Sequence, residues 1–220
     1  AVILAVKPQV MKEVASSLSG SIQEHKPLVI SIAAGIREQA LQQWLGGDVS
    51  LIRVMPNTPA MIQSGATALH AGNQASLEQR NLAESIMRAV GLIQWVEDET
   101  QMDIVTALSG SGPAYFFLIM EIMEQAATEQ GLSPETARLL TLQTALGASR
   151  LALESPESSA ELRRRVTSPG GTTERAINTM EEGGIRQLFA DALLHAKERS
   201  EQLSEMMEVD SRKKLENDNG

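Results

Sequence analysis

The sequence predicts an α/β half with a mostly parallel sheet over residues 1–100, followed by an all-helical half over residues 101–206. Up to about residue 100, short apolar runs alternate with amphipathic segments, which is typical of strand–helix–strand units. Beyond Met102 the apolar residues recur only at helical spacing. Residues 207–220 are polar and aperiodic, and predict a disordered tail.

The N-terminal half opens with residues 1–6, a continuous apolar run that predicts a strand buried on both faces. Further strands are predicted over 28–32, 50–55, 66–70 and 93–96, with helices that include 10–18, 38–45 and 77–90. Three strand ends, at 6–8, 33–35 and 57–59, are stiffened by proline or made of small residues. Each alone is an ordinary tight connection, but together they predict a ligand site at the carboxyl edge of the sheet.

The helical half begins with a long predicted helix over 103–130, whose middle, residues 114–120, is apolar nearly all round. Such a helix has to be buried between domains or between subunits, so the sequence predicts an obligate dimer. Ser133 and Pro134 predict the N-cap and first residue of the next helix, which runs to about residue 153. Helices over 172–182 and 185–206 complete this half.

A basic turn, Arg163 to Arg165, precedes the glycine loop of residues 168–173. Pro169 and two glycines shape this loop, and Thr172 or Thr173 is predicted to cap the helix that follows. A helix N-terminus has unpaired N–H groups and a partial positive charge. The loop is therefore either an ordinary capped turn or an anion site for a carboxylate or phosphate.

Composition excludes several classes of function. The net charge is −9 without a long basic run, which argues against nucleic acid and anionic membranes as partners. No cysteine is present, so disulfides and thiolate sites are excluded, and the three histidines lack metal-ligand spacing. The longest uninterrupted apolar runs are shorter than a bilayer span, and the start lacks the features of a signal peptide. These features predict a soluble, cytoplasmic protein with no metal.

Five sequence blocks, in a fixed order, indicate a family. They are Ala-Val-Lys-Pro-Gln at 5–9, Ser-Ile-Ala-Ala-Gly at 31–35, Arg-Val-Met-Pro-Asn-Thr-Pro at 53–59, Ala-Leu-Ser-Gly-Ser-Gly-Pro-Ala-Tyr-Phe at 107–116 and Arg-Val-Thr-Ser-Pro-Gly-Gly-Thr-Thr at 165–173. Over residues 1–206 the chain resembles the bacterial pyrroline-5-carboxylate reductases.

The resemblance implies a Rossmann-type domain that binds NADPH or NADH, and a helical domain that interleaves with a second subunit as a homodimer. It also implies reduction of 1-pyrroline-5-carboxylate to L-proline, the last step of proline biosynthesis. Rings of dimers occur in the family, and the sequence leaves that assembly open. By analogy, about sixty residues that include the glycine-rich phosphate loop are expected to precede Ala1.

The resemblance also implies roles for individual residues. Thr173 is the catalytic residue, which binds substrate through its hydroxyl and its backbone N–H together with Gly171 and Thr172, while Ser168 shapes the loop. Glu99 corresponds to a substrate-side acid, although the cluster of residues 97–99 also fits a solvated acidic surface. The residues implied in cofactor binding are Ala5, Val6, Lys7, Pro8, Ala33, Ala34, Asn57 and Arg165.

Two alternatives remain at this stage. A related two-domain dehydrogenase would carry a catalytic lysine on the long helix, but residues 103–130 contain no lysine. A catalytically inactive truncated fragment is the other alternative, because no G-x-G-x-x-G motif is present in the chain.

Overall fold

The computed structural model describes the backbone of residues 1–218 and the side chains of residues 1–207. Within them one five-stranded sheet has the order β1 to β5, with strands Val2–Leu4, Val29–Ser31, Leu51–Met55, Gly65–Ala71 and Gly91–Trp95. The pairs β1–β2, β2–β3 and β4–β5 are parallel, and β3–β4 is antiparallel. The predicted fold class, a mostly parallel sheet followed by helices, is confirmed.

The helices occupy the segments between strands and most of the chain beyond residue 100. Their bounds are α1 Pro8–His25, α2 Glu38–Trp44, α3 Leu77–Arg88, α4 Gln101–Val105, α5 Gly112–Glu129, α6 Pro134–Glu154, α7 Ser159–Arg165, α8 Thr172–Glu182 and α9 Ile185–Asp218. A 3₁₀ turn spans Thr58–Ile62 and a π-helical turn spans Thr106–Gly110. Ser133 caps α6 as predicted, since its hydroxyl accepts a hydrogen bond from the Thr136 amide at 3.2 Å.

Apolar residues of the central strands pack on both faces of the sheet. Val29 and Leu51 belong to one buried cluster with α1 and α2, whereas Ile30 and Ile52 belong to another with α3. The prediction that the first strand is buried on both faces is wrong, because β1 lies at the edge of the sheet and its Ile3 is 48% exposed.

The chain divides into two compact units at positions that differ from the predicted boundary after residue 100. One unit, the sheet unit, comprises Ala1–Pro113 with Ala192–Gly220, and the other, the helical unit, comprises Ala114–Asp191. Residues 101–113 belong with the sheet because Met102 and Ala107 are buried there. Residues of α9 belong with it because Ser200 donates a hydrogen bond to Asp103 at 2.6 Å.

The helix predicted over 103–130 is interrupted by the π-helical turn. Thr106 and Ser109 donate their hydroxyl hydrogens to the carbonyls of Met102 and Val105, which competes with regular helical bonding and accompanies the wider turn. By length and composition alone, the stretch Gln101–Glu129 qualifies as a membrane span, with a mean hydropathy of 1.2. The expectation that no segment could span a bilayer was based on uninterrupted apolar runs, and polar residues interrupt the apolar sequence of Gln101–Glu129. Core helices of soluble proteins meet the same criterion, so it does not distinguish a bilayer from a protein partner.

The last helix continues further than the sequence predicts. Helix α9 extends to Asp218, whereas the predicted helix ends at about residue 206 and a disordered tail begins at 207. Residues 219–220 lie outside the described part of the chain.

Candidate active site

The carboxyl ends of β1, β2 and β3 lie at one edge of the sheet because the three strands are parallel. The Ile32 amide donates to the Leu4 carbonyl at 3.1 Å, which joins the first two ends. Residues 5–7 connect β1 to α1, where Lys7 is the N-cap and Pro8 the first helical residue. No side chain in the described chain caps this helix. The predicted cofactor residues Ala5, Val6, Lys7, Pro8, Ala33 and Ala34 are therefore grouped at this edge.

A cavity of about 320 Å³ opens at this edge within the sheet unit. Pro8 and Ala34 line it, together with Thr106 and Ser111 from the π-helical turn and its end. Gly35 has a φ of +72°, and a Cβ there would lie 3.7 Å from the Leu203 Cβ of α9. Small residues and hydroxyl groups thus form part of the cavity wall, a lining that suits a flat, polar ring such as nicotinamide.

Sequence reasoning missed the cavity residues contributed by the second half of the sheet unit: Thr106, Ser111, Ala196, Arg199, Ser200, Leu203 and Met207. Thr106 directly precedes the block at 107–116, and Ser111 lies inside it, so the blocks contained a signal for these two. The residues of α9 belong to no block, and an amphipathic helix alone does not reveal which surface it covers.

Asn57 uses both ends of its side-chain amide within the protein. Its Oδ1 accepts a hydrogen bond from the Ala66 amide at 2.9 Å, and its Nδ2 donates to the Ser109 carbonyl at 3.1 Å. Asn57 therefore connects the end of β3 with β4 and with the π-helical turn. Its place beside the nicotinamide stays a prediction, and in the structure its polar atoms bond to the surrounding backbone.

We expect Asn57→Ala to lower the free energy of unfolding by about 2–4 kcal/mol, because two partly buried backbone groups lose their partners. Asn57→Asp keeps the acceptor for the Ala66 amide but places a carboxylate against the Ser109 carbonyl, so it is expected to be no better than alanine. Urea unfolding followed by circular dichroism measures both changes. Full stability in Asn57→Asp would show that the bond to Ser109 contributes nothing.

Glu99 occupies a position that neither sequence interpretation anticipated. Its Oε1 accepts hydrogen bonds from Arg53 Nη1 at 2.6 Å and from the backbone amide of Glu38 at 2.5 Å. The interpretation as a solvated surface charge is wrong, because the Arg53 and Glu99 side chains are only 8% and 26% exposed. A charged residue within the apolar strand at 51–55 was the available signal, since a buried arginine requires a partner.

The predicted substrate loop lies in the helical unit and begins α8. Gly171 is the N-cap and Thr172 the first helical residue, so the prediction that a threonine caps this helix is wrong. Gly170 has a φ of +71°, and its amide donates to the Glu174 carboxylate at 2.7 Å, which closes the loop. No side chain caps α8 in the described chain, so the amides of Thr172 and Thr173 have no hydrogen-bond partner among the described residues.

The three arginines before the loop are the last turn of α7, a helix that the sequence analysis did not predict. Ser158, whose hydroxyl accepts from the Glu161 amide at 3.2 Å, was the signal for its start. Arg165 donates to Glu157 at 2.7 Å, and this bond raises the pKa of the exposed guanidinium. Glu181 receives two bonds from Arg186, which lower the pKa of its carboxyl.

Comparison with known proteins identifies the family. Residues 99–203 match the family described as pyrroline-5-carboxylate reductase dimerisation. The chain is 50% identical over 94% of its length to the pyrroline-5-carboxylate reductase of Pseudomonas aeruginosa, and covers 75% of that protein. The chain belongs to the pyrroline-5-carboxylate reductases.

Solved structures of this family have the same fold. The pyrroline-5-carboxylate reductase of Coxiella burnetii superimposes with a TM-score of 0.89 at 52% identity, over 92% of this chain and 75% of that one. The enzyme of Plasmodium falciparum, solved with NADP bound, gives 0.84 at 29% identity, over 92% and 76%.

The match to the dimerisation family fits the surface of the helical unit. Helices α5 and α6 expose apolar residues that one chain does not cover: Phe116, Phe117, Leu118, Ile122, Leu139, Leu140 and Leu146. The family match and this exposed apolar surface both indicate a homo-oligomer.

Proposed function

We propose that this chain reduces 1-pyrroline-5-carboxylate to L-proline with NADPH or NADH, the last step of proline biosynthesis. The observation that carries the proposal is the cavity at the carboxyl edge of β1 and β2, whose lining includes residues of three of the family's blocks. The relatives' names and the NADP in the Plasmodium structure support the same reaction and cofactor class. The related dehydrogenase is disfavoured, since helices α4 and α5 contain no lysine.

On the cofactor side, residues 5–8 with Ala33 and Ala34 hold the nicotinamide half, and Asn57 fixes the wall beside it. When bound, the reduced nicotinamide supplies the hydride. The chain itself contributes shape: small side chains permit close approach, and the hydroxyls of Thr106 and Ser111 offer polar contacts. Arg165 is proposed to reach the cofactor by exchanging its bond to Glu157 for a phosphate.

On the substrate side, the amides of Thr172 and Thr173 bind the carboxylate at the start of α8. Gly171 takes part by forming the loop with Ser168, whose carbonyl accepts a hydrogen bond from the Gly171 amide at 3.0 Å. The Thr173 hydroxyl orients the ring nitrogen. A protonated cyclic imine is already electrophilic, so the reaction depends on geometry more than on a strong acid.

The assembly in this proposal is a homodimer formed through the C-terminal helices, located in the cytoplasm. A ring of such dimers would be recognised by its larger molecular mass in solution. The runner-up is an inactive fragment that folds through its helices and binds no cofactor.

A titration with NADPH tests the cofactor half of the proposal. Trp44 and Trp95 both belong to the sheet unit, so we expect a saturable change in intrinsic fluorescence, followed by formation of L-proline from the imine. Ala34→Leu should weaken NADPH binding by at least about tenfold, because its larger side chain enters the cavity. Ala89→Leu, at an exposed position after α3, is the matched control. Absence of any binding by the parent chain would favour the inactive fragment.

A further inference from the structure

Glu99 connects three segments of the sheet unit through one carboxylate oxygen. We call the group of Glu99, the Arg53 guanidinium and the Glu38 amide the Glu99 junction. Its two hydrogen bonds measure 2.6 and 2.5 Å, and the side chains are largely removed from solvent. Hydrogen bonds to an ionised group are shorter and stronger than neutral ones, and burial strengthens them further.

Two members of the junction belong to segments next to the proposed cofactor cavity, and the third lies in the adjacent strand β3. Glu38 is the first residue of α2, and the loop before it, residues 32–37, carries Ala33 and Ala34. Arg53 lies in β3, which ends at the turn that contains Asn57. Glu99 lies two residues before α4, which leads into the π-helical turn that contributes Thr106. One carboxylate therefore connects two segments that line the cavity, the loop 32–37 and the π-helical turn, to the neighbouring strand β3.

Further contacts hold the start of α2 from its other side. A Cβ on Gly72 would collide with the Glu38 carboxylate, which therefore lies against the end of β4. His70 lies in register with Arg53, and its Nε2 is 4.0 Å from Glu38 Oε2. The C-terminal end of loop 32–37 is thus held at Glu38 in two ways. The Glu38 side chain lies against the end of β4, and the Glu38 amide donates to Glu99 in the junction.

We propose that Glu99 is a positioning residue for the nicotinamide side of the site. With Arg53 it fixes loop 32–37, and it thereby places Ala33 and Ala34 against the cofactor. The inference rests on the proposed function, and it replaces the substrate-side role that the resemblance implies for Glu99. The junction already uses the Oε1 of this carboxylate for two donors, one of them the guanidinium of a buried arginine.

Hydrogen–deuterium exchange of the full chain tests the proposal without any need for activity. In Glu99→Gln we expect the Glu38 amide and loop 32–37 to exchange at least about tenfold faster, because the charged acceptor is lost. Glu97→Gln, a nearby exposed carboxylate, is the matched control and should exchange like the parent. Unchanged exchange in Glu99→Gln would overturn the proposal, as would an equal rise throughout β3, which would indicate general destabilisation.

Steady-state kinetics then separates the cofactor side from the substrate side. Glu99→Gln and Arg53→Lys should raise the KM for NADPH by about 5- to 50-fold, with the KM for the imine changed by less than about twofold. Glu99→Asp, which keeps the charge, should restore part of the loss. A raised KM for the imine alone would overturn the proposal and support a substrate-side acid. If the parent chain shows no turnover, the proposed function fails, while the exchange measurement still decides the positioning role.

Discussion

Thr173→Ala should reduce kcat/KM for the imine by about 10- to 1,000-fold, which corresponds to the loss of one positioned polar contact of about 1–4 kcal/mol. Thr173 lies in the first turn of α8, where no side chain of the described chain caps the helix. Its backbone N–H survives the substitution, so the proposed contact with the substrate carboxylate would remain. The expected loss therefore comes from misorientation of the ring nitrogen, and should affect kcat more than KM.

Two control variants separate the hydroxyl from its surroundings. Thr173→Ser keeps a hydroxyl and should retain most of the activity. Thr179→Ala removes an exposed hydroxyl from the same helix, one that bonds only to the Arg175 carbonyl at 3.0 Å, and should match the parent. If Thr173→Ala and Thr179→Ala lost kcat/KM to a similar extent, the cause would be a less stable helix α8, not the loss of the Thr173 hydroxyl. Parent-like efficiency of Thr173→Ala would exclude the proposed role of its hydroxyl.

The sequence predicted those features that depend on neighbouring residues. Apolar runs such as 28–32 and 50–55 specify buried parallel strands, and parallel strands bring their carboxyl ends to one edge. The cofactor edge could therefore be predicted before any coordinates were known. The cap at Ser133 depends on the residues at positions 133–136 alone, and it too was predictable.

Contacts between distant segments escaped prediction. The bond between Arg53 and Glu99 joins residues 46 positions apart, and pattern analysis carries no information on such pairs. The cap of α8 was misplaced because glycine competes with threonine for this position, and here the loop conformation selects Gly171. Likewise, a π-helical turn, accompanied by hydroxyl bonds from Thr106 and Ser109, interrupts what the apolar pattern presents as one continuous helix.

Phe117→Asp should convert the proposed dimer into monomers or unfolded chain. Phe117 is 63% exposed in the single chain, and its neighbours Phe116 and Leu118 are exposed as well. Three consecutive residues of a helix point in different directions, so α5 requires apolar cover on more than one side. Interleaved helices of a second copy would provide that cover, and a carboxylate buried there without a partner costs several kcal/mol. We expect the dimer dissociation constant to rise by at least about 100-fold.

Light scattering over a range of protein concentrations measures this change. Leu77→Asp is the matched control, because Leu77 is 74% exposed at the start of α3 in the sheet unit, where a negative charge is favourable. Flotation of the parent chain with lipid vesicles tests whether the stretch Gln101–Glu129 enters a bilayer instead of contacting a second subunit. A parent chain that is monomeric and floats with vesicles would assign the apolar face of α5 to a bilayer. A dimer that does not float, and that Phe117→Asp dissociates while Leu77→Asp does not, assigns that face to the second subunit.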